Sequence, residues 1–247
     1  MTTPKETPVT VNLGMPEQPK LKYQRRTGYY PVPTHEFNLP AGWACPGADG
    51  CLTKADRHTG KRVIGGDEYI CYASSAERFP AVRDSRWDNF QAARHWLRTT
   101  NDPFPVPARA THIRIHGSGD FFNAAYFRRW CDTAAANPDV RFWAFTKSVN
   151  YWLDNADHVP PNLEMNASLG SKFDNEIREH GLKSARVFRR IEDVPADMPI
   201  DYDDTYAMHP GPSFALLNNA YYRDQPNDPR ILAHNARITR QAPSADS

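Results

Sequence analysis

From Thr111 to Ile191 the chain alternates short apolar runs with stretches of helical spacing, and this alternation narrows the possible folds more than any other feature. THIRIH, from Thr111 to His116, alternates β-branched and polar residues and runs straight into Gly117, Ser118, Gly119 and Asp120. It reads as a strand ending in a glycine-rich loop. A helix is predicted next: Asn123 supplies a cap, and Tyr126, Phe127, Trp130, Cys131 and Ala134 share one face before Asn137 and Pro138 stop it. The run Phe142 to Phe145, ending in Thr146, Lys147 and Ser148, is a second strand, and Leu163 to Leu169 a third. Ser171 to His180 reads as a helix ended by Gly181, and Ala185 to Ile191 as a fourth strand. Strands joined through helices cross over right-handedly and lie parallel. The expected class is therefore α/β with a parallel sheet, either open or rolled into a barrel.

Upstream, Val82, Trp87, Phe90, Ala93 and Leu97 recur at helical intervals and predict an amphipathic helix over Pro80 to Arg98. The 22 prolines are rich in the first 40 residues and between Pro103 and Pro107, which marks extended connectors. The expected organisation is a flexible arm over 1–28, one α/β domain over 29–212 with a cysteine-rich loop at 45–73, and an irregular, partly mobile tail over 213–247. The arm's Lys20, Lys22, Arg25 and Arg26 read first as a solvated basic run and second as a nucleic-acid contact. A net charge of +1 supplies no global field for nucleic acid. With no membrane-length apolar stretch, the sequence is expected to be cytoplasmic.

Three of the four cysteines, Cys45, Cys51 and Cys71, lie in one region, where turn signals at His58–Lys61 and Gly65–Asp67 allow the chain to reverse. Clustered cysteines in a reducing compartment more often hold a metal or do redox work than form disulfides. The residues leave three readings open: an iron–sulfur cluster, a zinc site completed by His58 as Cys₃His, or three reduced thiols. Cys131, on an apolar helix face, reads as a small buried hydrophobe.

In parallel α/β folds the ligand lies at the carboxyl ends of the strands. His116 to Asp120, Thr146 to Ser148 and Asn166 to Ser168 are expected to face one pocket there, with the cysteine loop beside them. Asp120 is a candidate to receive an ammonium group, or else a cap or turn residue. Lys147 is the catalytic candidate, since a lysine entering a pocket can hold an anion or move a proton. Asn166 and Ser168 alternate toward the same pocket. His112 and His116, four apart on one strand, are metal candidates or hydrogen-bonded rim residues, and His209 is a weaker strand-end candidate.

The segments FNLPAGWACPGADGC, CYA, RIHGSGDFFNAAYFRRW and FTKS resemble the mycobacteriophage gene product 88 family over roughly Tyr30 to Pro212. That family is in turn distantly similar to radical S-adenosylmethionine proteins. The resemblance implies a partial (β/α) barrel, with Cys45, Cys51 and Cys71 holding a [4Fe–4S] cluster whose open iron takes S-adenosylmethionine. It implies that Gly117, Ser118, Gly119 and Asp120 form the loop that meets the ligand's amino group. The cysteine spacing departs from the tight CxxxCxxC loop of those enzymes, with five residues inside the first pair and nineteen inside the second. A phage protein acting in the infected host cell follows, either an enzyme on an unknown substrate or a non-enzymatic binder of a host protein or nucleic acid. No Walker-type loop, HExxH or GxSxG motif favours the commoner hydrolases.

Overall fold

The computed structural model describes residues 20–65, 71–218 and 228–241. Its centre is a seven-stranded sheet in the order β1-β2-β5-β6-β7-β8-β9. β1 (Tyr23–Arg26) and β2 (Thr34–Phe37) form an antiparallel pair. From β2 onward every neighbour is parallel, through β5 (His112–Ile115), β6 (Arg141–Thr146), β7 (Leu163–Ser168), β8 (Ser184–Phe188) and β9 (Phe214–Leu217). β1 and β9 are the outermost strands and do not pair with each other, so the sheet is open and not closed into a barrel; Ile200 bridges to Ala215 on the outer side of β9. A separate hairpin, β3 (Lys54–Ala55) with β4 (Arg62–Ile64), rises from the cysteine region.

Side chains alternate across each strand and sort the core into two faces. Ile113, Ile115, Phe142, Ala144, Leu163 and Met165 turn to the side covered by α2 (Pro80–Thr99) and α3 (Ala124–Ala135). Trp143, Ala185 and Phe214 turn to the other side, against Tyr30 and Ala207 and Met208 of α6 (Thr205–Met208). A sheet buried on both faces reads as near-continuous apolar runs, which is why β6 and β7 were visible in the sequence. The Asn123 side chain caps α3 by accepting the Tyr126 N–H at 2.8 Å. Phe37, Phe104 and Trp130 then close the larger core, with ring centroids 5.2 Å apart in both Trp130 pairs.

Differences from the sequence reading fall at the ends of elements and of the chain. The fourth strand stops at Phe188, and Ile191–Asp193 turns as a short 3₁₀ segment. The helix expected over Ser171–His180 is α5 (Asp174–Glu179), because Asp174 accepts the Gly170 and Ser171 N–H groups and holds that stretch as a turn. Part of the basic arm is not solvated coil. Asn89 of α2 exchanges two hydrogen bonds with the Lys22 backbone, 2.7 and 2.8 Å, and Tyr23 packs on Phe37. The segment expected to be irregular after residue 212 contains β9, whose Phe214 and Ala215 are fully buried, and a helix over Pro229–Gln241. The rest of that tail, 219–227 and 242–247, lies outside the described residues, as does most of the arm. Among the described residues no helix is long and apolar enough to cross a membrane.

Because β9 completes the smaller core, Phe214→Ala is expected to cost about 3–5 kcal/mol in urea unfolding, as for other buried aromatic truncations. A loss below 1 kcal/mol would mean that this strand does not pack as described.

Candidate functional site

Five of the parallel strands, β5 to β9, send residues to a pocket of about 170 Å³ at the carboxyl end of the sheet. β5 and the residue after it contribute Arg114 and His116, β6 and the residue after it Phe145 and Lys147, β7 Ser168, β8 Val187 and β9 Leu216. The opposing wall is the cysteine region: Ala41, Cys45, Ala48, Cys51, Cys71, Tyr72 and Ala73. Gly117, Ser118, Gly119 and Asp120 join the two walls. The sequence reading had expected these groups together; of the stretches it placed there, Thr146, Ser148, Asn166 and Ala167 are missing from the lining. Asn166 is buried, its amide nitrogen donating to the carbonyls of Ala144 and Ala207, so it ties β6 to α6 instead.

The glycine loop owes its shape to segment 36–39. Leu39 N–H donates to the Ser118 carbonyl and Ser118 Oγ donates to the Leu39 carbonyl, both at 2.8 Å. Gly119, at φ +84°, could not carry a side chain, since a Cβ there would lie 2.5 Å from Leu39 Cβ. The cysteine loop is seated just as tightly. A Cβ on Gly47 would fall 2.0 Å from the Lys147 carbonyl oxygen, and Lys172 N–H donates to the Gly47 carbonyl at 3.1 Å. At the other end of the loop, Cys71 N–H donates to Thr53 Oγ1, and the Tyr72 hydroxyl donates to the Gly117 carbonyl at 2.8 Å. The chain therefore leaves Cys51, makes the β3–β4 hairpin and returns Cys71 to the same wall.

Asp120 is held through both of its carboxylate oxygens. Its Oδ1 accepts the Thr146 hydroxyl and the Phe121 N–H, each at 2.7 Å, and its Oδ2 accepts the Lys147 N–H at 2.8 Å. Burial nevertheless pushes its carboxyl up to about 6, these hydrogen bonds and the Lys147 charge opposing the shift. Lys147 caps β7, two of its three N–H donors reaching the Ser168 and Leu169 carbonyls. Burial also raises the Cys45 thiol well above its usual range, with Asp120 and then Cys71 adding to the effect, and burial raises Cys71 as well. Cys45 and Cys71, desolvated near the Asp120 carboxylate, therefore disfavour the thiolate form.

The histidines do not form a pair. His112 begins β5 and bonds the Thr111 hydroxyl at its own end, while His116 follows the last residue of the strand at φ 69°. Burial, then the Arg114 charge, lowers His116 to about 3, so it is neutral at physiological pH. Its Nε2 lies 2.9 Å from the Tyr126 hydroxyl. His58 is exposed in the hairpin and does not line the pocket, so it completes no Cys₃His set with the three cysteines. Among the described residues no group of three or more His, Cys, Asp or Glu is placed to hold a metal ion. His209 is used through its backbone, its carbonyl accepting from Lys183 Nζ. Cys131 is buried in the core as expected.

Sequence reasoning missed the wall around Arg114. Its Nη1 donates to the Tyr30 hydroxyl and pairs with Asp204 Oδ2, both at 3.0 Å, and its guanidinium lies 4.9 Å from the centre of the Phe145 ring. Tyr30 in turn bonds Glu36, and Trp143 Nε1 donates to Asp204 at 2.8 Å. An arginine inside the apolar HIRI strand was the available signal.

The fold and site define an open α/β protein with a thiol-lined pocket at the carboxyl edge of its sheet. The sequence profile of the family described as Gene product 88 matches residues 11–237, and the chain belongs to that family. It is also 50% identical over 35 residues to the Gene 88 protein of Mycobacterium phage L5, a stretch covering 14% of this chain and 15% of that one. No solved structure matches. Neither finding extends to the radical S-adenosylmethionine proteins.

Two outcomes test the site's construction. Gly47→Ala forces the cysteine loop off Lys147, and Cys45 alkylation by iodoacetamide is expected to rise at least tenfold; an unchanged rate would contradict the tight seat. Since Asp120 is raised in the folded state, the stability it gives is full below about pH 4 and lost as pH rises through about 6. A shift of this size is worth about 3 kcal/mol. The stability of the parent relative to Asp120→Asn should therefore fall between pH 4 and 6 in urea unfolding; a constant difference would show that Asp120 does not titrate there.

Proposed function

We propose that this protein is an iron–sulfur enzyme that uses S-adenosylmethionine, with Cys45, Cys51 and Cys71 as the cluster ligands. The observation that carries the reading is that the three thiols share one pocket wall with Gly117–Asp120 at the carboxyl ends of a parallel sheet. A zinc shell would need thiolate sulfurs about 3.8 Å apart around a single ion, from a zinc–sulfur distance near 2.3 Å. A four-iron cluster would bind each thiolate on a separate iron, so the sulfurs need not meet around a single ion. Burial raises the Cys45 and Cys71 thiols, so a bound cluster would have to draw off their protons before they serve as ligands. When bound, the cluster would supply one-electron reduction of the sulfonium.

The chain's own residues hold and shield the ligand. Asp120 offers carboxylate lone pairs to an ammonium group, and the Gly117–Gly119 backbone and Ser168 line its approach. Lys147 keeps one N–H for an acceptor on the substrate. Phe145, Val187 and Leu216 give the far half of the pocket an apolar wall that excludes water from a reactive species.

Anaerobic purification with iron, sulfide and zinc analysis tests the reading. Iron and sulfide near four per chain, with a visible absorption band lost in Cys71→Ala, is the expected result. Stoichiometric zinc, or protein that stays metal-free after reconstitution, overturns it. With dithionite and S-adenosylmethionine the loaded protein should release 5′-deoxyadenosine, and Asp120→Asn should weaken S-adenosylmethionine binding at least tenfold while keeping its iron. No release of 5′-deoxyadenosine would reduce the site to a structural cluster.

A further inference from the structure

We infer that the β3–β4 hairpin and the adjoining pocket rim are a docking surface for single-stranded nucleic acid. The inference rests on the surface of the hairpin and not on the cluster. From Lys54 to Arg62 the chain carries four cations, Lys54, Arg57, Lys61 and Arg62, against one carboxylate, Asp56. That carboxylate is taken up by its own turn, where Oδ1 accepts the His58 and Thr59 N–H groups and the Thr59 hydroxyl. Among the described residues none of the four cations is in an ion pair. Asp67 and Glu68, the next charges along the chain, lie outside those residues. Arg57, Lys61 and Arg62 are exposed. With a chain net charge of only +1, this positive charge is local.

Aromatic rings are exposed in the same region. Trp43 is 43% exposed and Tyr72 54%, unusual for side chains of this size. Trp43 is fixed to the hairpin by donating from Nε1 to the Ala55 carbonyl at 2.8 Å, and Lys54 Nζ sits 4.8 Å from the centre of its ring. Tyr72 is fixed to the pocket through Gly117. The two are joined through buried Thr53, which adjoins Lys54 in the chain and accepts the Cys71 N–H. A strip therefore runs from basic hairpin to Trp43 and Tyr72 and into the pocket mouth. Cations that track phosphates beside ring faces that stack bases are the chemistry of single-strand binding. An acidic peptide would use the cations but not the rings, and a duplex keeps its bases stacked inside.

Fluorescence anisotropy with 5′-fluorescein-labelled dT20 and U20 tests the inference, with a 20-base-pair duplex and polyglutamate as competitors. Binding of at least one strand is expected, with a log–log salt slope of about −3 for four phosphate contacts. The exposed-site variant Arg57→Glu/Lys61→Glu/Arg62→Glu should weaken binding at least tenfold while keeping the parent's iron content and melting temperature. Trp43→Ala should weaken it at least fivefold with a nearly unchanged salt slope. The inference is overturned if neither strand binds in 50 mM salt, if the triple variant binds within twofold of the parent, or if duplex or polyglutamate competes as well as unlabelled strand. Strand binding by protein that stays metal-free after reconstitution would leave this inference standing where the cluster reading fails; loaded protein that ignores both strands would do the reverse.

Discussion

The contact between Asp120 and the end of β6 holds the whole site together. One carboxylate closes the loop after β5 onto Thr146 and Lys147, and Lys147 then passes the constraint on in three directions. Its side chain caps the end of β7, its carbonyl accepts the Ser171 hydroxyl at 3.1 Å, and the same carbonyl packs against Gly47 of the cysteine loop. Three strand ends and the opposite pocket wall thus depend on a single residue pair. Charged acceptors make stronger hydrogen bonds than neutral ones, which suits a carboxylate to this junction even at the cost of burying it.

A second buried acid anchors the ends of the cysteine region. Glu77 Oε1 accepts the Ala41 N–H at 2.7 Å and the Arg86 guanidinium at 3.1 Å, and Arg86 also donates to the Ala73 carbonyl at 2.6 Å. Residues before Cys45 and after Cys71 are therefore fastened to α2 by one ion pair, its arginine about 10% exposed and its glutamate fully buried. Arg114 is held on the far side by Asp204 and the Tyr30–Glu36 pair. Removing one member of such a pair leaves an uncompensated buried charge, so these networks fix the pocket walls more than they stabilise the chain.

What the sequence disclosed follows from burial. β5 to β8 were legible because their apolar runs are flanked by turn residues and long helical faces, and the strand ends carried recognisably polar residues. β1, β2 and β9 were not, because YQRR, THEF and FALL are four-residue segments whose role is set by partners distant in the chain: Asn89 for β1, β5 for β2 and β8 for β9. Asn166 was assigned to the pocket by strand parity, but α6 packs on that face and takes its amide. Parity also grouped His112 with His116, although four strand residues span about 13 Å and put them at opposite ends of β5.

The wide cysteine spacing raises a problem that the hairpin resolves. Ordering nineteen residues between Cys51 and Cys71 costs chain entropy, although that cost grows slowly with length. Here much of the excursion is structured by the β3–β4 ladder and by the turn that Asp56 closes, with Gly60 at φ +70° where its Cβ would meet Arg83 and Glu77. Cys71 is then fixed by Thr53, two residues from Cys51, so the long separation in sequence becomes a short one in space. The same excursion carries four cations, Lys54, Arg57, Lys61 and Arg62. Burial pushes Cys45, Cys71 and Asp120 alike toward their protonated forms, so one desolvated wall sets the charge preference of the whole pocket.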